Sequence, residues 1–113
     1  MPRQAVNFEV VRSLGASLAD VKDASGRRGT ALKLKGQLLA CEAIHKSAEP
    51  NSLMVRIGLK RREALLKQDA ETYYLTDHYA PYPAILVRLS RITRASLRAL
   101  LAESREFMRK EGA

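Results

Sequence analysis

The chain has 113 residues, 46% of them apolar, with 20 Lys and Arg against 12 Asp and Glu and a formal charge of +8. That size and apolar content suit one hydrophobic core in a single domain, residues 1–113, and exclude a disordered chain; the basic excess favours polyanionic partners. One cysteine excludes an internal disulfide, and no apolar run reaches the ~18–20 residues of a membrane span. The amphipathic start MPRQAVNFEVVRSL does not read as a secretory signal, so a cytoplasmic protein with no membrane partner is expected.

Asn7 can cap a first helix, its side-chain oxygen accepting an orphan backbone N–H. Val10, Leu14 and Leu18 recur every four residues with Val11 beside them, which predicts one apolar face as far as about Ala19. Gly15 weakens this helix without ending it. A short strand begins at Val21, and the stretch from Asp23 to Gly29 is a bend rich in turn residues. From Ala31 to Lys35 the pattern alternates, Leu32 and Leu34 on one side, Lys33 and Lys35 on the other, as in a strand with one solvated face. Lys35-Gly36 then makes a tight turn into the apolar run from Gln37 to Ile44, which suits a central strand covered on both faces. A polar loop from His45 to Asn51 precedes another strand, with Leu53, Val55 and Ile57 alternating against Met54 and Arg56. Neighbouring strands with such short connections form an antiparallel meander.

Residues Lys60 to Gln68 predict a short helix with Leu65 and Leu66 buried and Lys60, Arg61 and Arg62 solvated at its start. Cations there oppose the helix dipole, at about 0.3–1 kcal/mol each. Thr72 to Thr76 is strand-prone, Asp77 to Pro83 is a loop stiffened by Pro81 and Pro83, and Ala84 to Leu89 returns as a strand. Thr93 is placed to cap a last helix from Arg94 to about Lys110. Leu97, Leu100, Leu101, Ser104, Phe107 and Met108 share one side of it, and Arg94, Arg98, Arg105 and Arg109 form a flanking stripe, with Glu103 and Glu106 farther round. The order is α-β(3)-α-β(2)-α, which predicts an α+β two-layer sandwich on an antiparallel sheet of about five strands.

All four tyrosines fall between Tyr73 and Tyr82, with His78 among them. A ring with one polar end suits a wall that is partly core and partly binding surface. Two histidines and one cysteine in separate elements lack the paired spacing of a zinc site, so neither metal nor cofactor is expected. A nucleophilic arrangement can be drawn from Cys41, His45 and Asp77, or with His78 as base, but Cys41 lies in an apolar strand with no oxyanion donors in view. No catalytic residue is assigned, and the chain reads as a non-enzyme. For a DNA or RNA partner, Arg27, Arg28, Lys33, Lys35, Arg88, Arg91, Arg94 and Arg98 are the candidate phosphate contacts, with Tyr79 and Tyr82 as stacking rings. The alternative is a protein partner or a small anionic ligand, held in a cleft by Lys46, Arg56, His78, Tyr82 and Arg88. Either a monomer or a homodimer fits.

Two blocks, GTALKLKGQLLACEAIHKSAEPNSLMVRI (Gly29 to Ile57) and TYYLTDHYAPYPAILVRL with the following SRI (Thr72 to Ile92), resemble the MmcQ/YjbR-like proteins, a bacterial group of small single-domain proteins. The resemblance runs from the first helix to about Ala102. It implies an α-β(3)-α-β(2)-α fold similar to secretion-chaperone domains, and it carries a DNA-binding label that rests on fold analogy. Many members have a tryptophan in the final helix. This chain has Ser104-Arg105-Glu106 in that neighbourhood and no tryptophan at all.

Overall fold

Backbone pairing and side-chain alternation divide one antiparallel sheet into two unlike faces. The computed structural model describes residues 6–27 and 29–111. Its elements are α1 (Phe8–Ala16), β1 (Val21–Asp23), β2 (Ala31–Leu34), β3 (Gln37–Glu42), β4 (Ser52–Arg56), α2 (Leu59–Gln68), β5 (Tyr73–Tyr74), β6 (Ala84–Arg88) and α3 (Arg94–Glu111). The strands lie in the order β1-β2-β3-β4-β6-β5, every neighbouring pair antiparallel. The α+β sandwich is as predicted. The sheet has six strands because Val21–Asp23 adds itself to the edge of β2, and the strand-prone stretch near Tyr73 contributes only two residues at the other edge.

The register shows what each face carries. Leu32, Ala40, Val55 and Ile85 line up across β2, β3, β4 and β6, and Leu53, Val87 and Tyr73 form a second row beside them. These rows meet Val11 and Leu14 of α1, Leu65 of α2, and Leu97, Leu100, Leu101 and Met108 of α3 in one core. Each buried aliphatic side chain there is worth about 1.5–3 kcal/mol relative to exposure, so this layer dominates stability. The opposite face carries the row Cys41, Met54, Leu86 and Tyr74. Among the described residues no helix covers that row. It forms a smaller cluster with Ala43, Ala48 and Tyr79, which come from the loops after β3 and β5.

Caps and turns follow from residue type. Asn7 Oδ1 accepts the Val10 N–H at 3.0 Å, and Thr93 Oγ1 accepts that of Ser96 at 3.1 Å. Lys35 and Gly36 both have positive φ, 51° and 81°, as a two-residue hairpin turn requires. Gly15 has a packing reason as well as a propensity cost: a Cβ there would lie 2.5 Å from Leu32 Cδ1, so α1 seats on β2 only without a side chain. Ser104 is wholly buried in the apolar stripe of α3, and its hydroxyl has no hydrogen-bond partner among the described residues.

At the basic start of α2, Lys60 and Arg61 are exposed as predicted, but Arg62 is not. Arg62 shares a helix face with Leu65 and is only 8% exposed. Its guanidinium Nη1 donates to the carbonyl oxygens of Ala80 (3.2 Å), Tyr82 (2.8 Å) and Ala84 (3.3 Å). Arg61 makes a paired bond with Glu103 of α3, at 2.8 and 3.2 Å. One cation thus anchors the β5–β6 loop and the other ties α2 to α3. Leu66 is half-buried.

Candidate functional site

The side of the sheet without helices becomes basic towards β1. Lys22 of β1 stands directly opposite Lys33 of β2, both exposed, and Lys35 follows in the hairpin turn. Like charges directly opposite each other across two strands are destabilising. A shallow depression at this edge is lined by Asp20, Lys22, Asp23, Lys33 and Lys35. Asp23 is already engaged: Arg12 Nε donates to it at 2.8 Å, and the Ser25 backbone N–H and hydroxyl donate to its other oxygen. Those bonds, Ser25's first, hold the Asp23 carboxyl at about 2. Ser25 Oγ in turn accepts the Ala31 N–H, which fixes the bend that carries Arg27. Arg28 lies outside the described residues.

At the end of β6 the predicted arginines have different fates. Arg88 is spent on structure. Its Nε and Nη2 donate to the two Glu49 carboxylate oxygens at 3.0 and 2.6 Å, and its Nη1 donates to the carbonyls of Ala70 and Glu71. Its guanidinium also lies 4.2 Å from the centre of the Tyr74 ring, and its bonds hold the Glu49 carboxyl below the ordinary range. Arg91, Arg94 and Arg98 are exposed and form no ion pair among the described residues. Farther along α3, Arg105 and Arg109 share Glu106, so the sign-sorting of that helix is partly cancelled there.

The predicted phosphate contacts do not form one patch. From the register, the Arg27 bend and the turn after Arg88 lie at one end of the sheet, with Glu42 and Ser52 between them. Lys35 lies at the other end, near Gln37. Two groups remain, Lys22, Lys33 and Lys35 in one, and Arg27, Arg91, Arg94 and Arg98 in the other. Lys22 was missed in the sequence because its importance depends on which residue it faces.

The tyrosines divide as well. Tyr73 is buried in the helical core. Tyr74 lies beneath Arg88, and its hydroxyl pairs with Ser52 Oγ at 2.5 Å and accepts the Glu49 N–H at 2.8 Å. Tyr79 packs on Met54 and Leu86, its hydroxyl accepting the His45 N–H at 3.4 Å, and burial pushes its phenol up. Its ring is thus partly buried and engaged by neighbouring side chains rather than standing free in solvent. Tyr82, 56% exposed, keeps a ring in solvent.

Beside Tyr79 the two histidines meet. The rings of His45 and His78 stack with centroids 3.5 Å apart and planes 6° apart, and Tyr79 packs edge-on to both. The five residues of the alternative cleft do not converge, since Arg56 stands opposite Ala84 at one end of the β4–β6 pair and Arg88 opposite Ser52 at the other. Arg56 is half-buried and its Nε has no partner. Burial pushes the Cys41 thiol up, away from the thiolate. Among the described residues no cluster of three or more His, Cys, Asp or Glu is arranged to hold a metal, and no helix is long and apolar enough to cross a membrane.

No family model matches the chain, and no curated protein does. Among solved structures it is similar to the crystal structure of the Deinococcus radiodurans protein DR2400, a DUF419-domain protein. The TM-score is 0.76 at 18% identity, over 96% of this chain and 83% of that one. At that identity the likeness concerns the fold.

Proposed function

We propose that the chain is a non-catalytic binding protein that holds nucleic acid by its phosphates, a reading in line with its resemblance to the MmcQ/YjbR-like group. The observation that carries it is Lys22 facing Lys33 across β1 and β2, with Lys35 one turn away. Repulsion between these ammonium groups costs the free protein stability, and a phosphate between them removes that cost. Arg27, Arg91, Arg94 and Arg98, at the same end of the sheet, make a second set of cations, none of them held by a carboxylate among the described residues. Tyr82 supplies one ring for stacking on an unpaired base.

The test is a titration by fluorescence anisotropy of labelled single- and double-stranded DNA and RNA at several salt concentrations. Three lysine contacts give a slope of log K against log salt of about −2.7 on duplex DNA, or about 40-fold weaker binding between ~50 and ~200 mM salt. If the four arginines also engage, the slope steepens towards about −6. Lys22→Glu with Lys33→Glu, and separately Arg91→Glu with Arg94→Glu, report which group is used. No binding at ~50 mM salt, or binding indifferent to salt, refutes the reading.

A further inference from the structure

We infer that the loops after β3 and β5 form a pH-sensitive clasp, closed when His45 is neutral and opened by its protonation. The clasp is built from side chains that have few other partners. His45 Nδ1 accepts the Ser47 backbone N–H at 3.1 Å and lies 2.8 Å from Ser47 Oγ; that hydroxyl bonds Thr76 Oγ1 of the second loop at 2.9 Å. Across the same junction the imidazoles stack and the Tyr79 hydroxyl takes the His45 N–H. Beneath lies the apolar row of Met54 and Leu86, which no helix covers among the described residues.

This geometry specifies a protonation state. A nitrogen that accepts a backbone N–H carries no proton, so His45 holds its proton on Nε2. Protonation adds a hydrogen at Nδ1, pointing at the N–H it had accepted. Ser47 N–H cannot turn away without moving the loop. Charging both rings would also place two cations 3.5 Å apart. Lys46 on the first loop adds a further positive charge. Of the carboxylates on these loops, Glu49 is committed to Arg88, and Asp77 is exposed and forms no ion pair among the described residues. Burial raises the Tyr79 phenol and the Cys41 thiol, so neither offers a compensating charge, and the Tyr74 hydroxyl is engaged with Ser52 and Glu49. Burial, then His78, then Lys46 lower the His45 pKa. A lowered folded pKa gives stabilisation that is complete above the ordinary value near 6.5 and is lost as pH falls through the lowered one.

Amide hydrogen exchange of the full chain at about pH 7.5 and about pH 5.0, corrected for the intrinsic pH dependence, tests the clasp. Protection at Ser47, Tyr79 and Ala80 should fall about tenfold or more at the lower pH, while the central strands β4 and β6 change less than about twofold. His45→Asn keeps an acceptor oxygen where Nδ1 stands and cannot titrate, so its loop protection should be independent of pH. Unchanged wild-type loop protection overturns the clasp, as does the same pH-dependent loss in His45→Asn. Should that variant open the loops at every pH, NMR titration of the wild-type imidazoles decides. A depressed His45 midpoint, moving with the Ser47 amide shift, upholds the clasp; a His45 midpoint near 6.5, independent of that amide, overturns it.

Discussion

Replacing Arg62 by methionine asks whether a buried cation without a carboxylate holds the tyrosine loop in place. Methionine keeps the aliphatic stem beside Leu65 and the helix propensity of α2. What it removes is the fan of donors from one nitrogen to Ala80, Tyr82 and Ala84. Hydrogen bonds from a charged donor contribute about 1.5–3 kcal/mol each when short and well directed. Only the 2.8 Å bond to Tyr82 meets that standard, and the two longer ones share its nitrogen. Relief of charge burial at the unpartnered Nε, and of a cation in the first turn of a helix, offsets part of the loss. The net expectation is about 2 kcal/mol of destabilisation. At about 2.1 cal/mol/K of unfolding entropy per residue, a chain of this length loses about 8 °C in Tm. Thermal and urea unfolding followed by tyrosine fluorescence measure the loss, and hydrogen exchange locates it. A variant within about 0.5 kcal/mol of wild type, or unaltered protection at Tyr79, Ala80 and Tyr82, refutes the anchoring role.

Gly15→Ala gains about 0.8–1 kcal/mol of helix propensity but drives a methyl into Leu32, so the two effects oppose. Leu32 is fully buried and has little room to yield, and overpacking costs about 1–3 kcal/mol, so Tm should fall; a rise means that Leu32 repacks freely. Ser104→Ala removes a buried hydroxyl that has no partner among the described residues and should stabilise the fold by about 1 kcal/mol in urea unfolding, whereas a loss reveals an acceptor. Asp23 titrates at about 2 in the folded chain against an ordinary 3.8. Its contribution to the β1–β2 hairpin is complete above 3.8 and disappears as pH falls through 2. Acid unfolding of Asp23→Asn should lack that segment of pH dependence, and an unchanged acid limb removes Asp23 from the account.

Much of the fold could be read from local patterns. The alternation of Leu32 and Leu34 with Lys33, the caps at Asn7 and Thr93, and the apolar stripe of α3 are each decided within a few residues. What could not be read that way depended on pairing at a distance. A short strand could be placed at Val21, but its place in the sheet, as the sixth strand, follows only from the open edge that β2 offers it. Gly15 looked like a weak point of a helix until Leu32 was placed against it. Tyr73 and Tyr74 are neighbours in sequence, yet the pleat sends one into the helical core and the other beneath Arg88.

The site was harder to read because a charge in a sequence carries no mark of what neutralises it. Arg62 and Arg88 looked like any other surface cations. Arg88 is 39 positions from the carboxylate that engages it, and Arg62 is 18 or more positions from the carbonyls that hold it. Only helical phase hinted at the first, through the spacing from Arg62 to Leu65. Lys22 shows the reverse case: unremarkable alone, it gains meaning when the register sets it against Lys33. Net charge is therefore a poor guide to the field that a partner would meet. Five of the carboxylates, Glu9, Asp23, Glu49, Glu103 and Glu106, are drawn to arginines, and the lysines near β1 are left without any ion pair among the described residues. Arginine reaches distant oxygens with a planar, multi-donor head, whereas lysine offers a mobile point charge that water solvates well. In this chain the arginines Arg12, Arg61, Arg62 and Arg88 mostly hold segments together, and the lysines of the β1–β2 edge and the arginines that lead into α3 are among the cations that no carboxylate holds among the described residues.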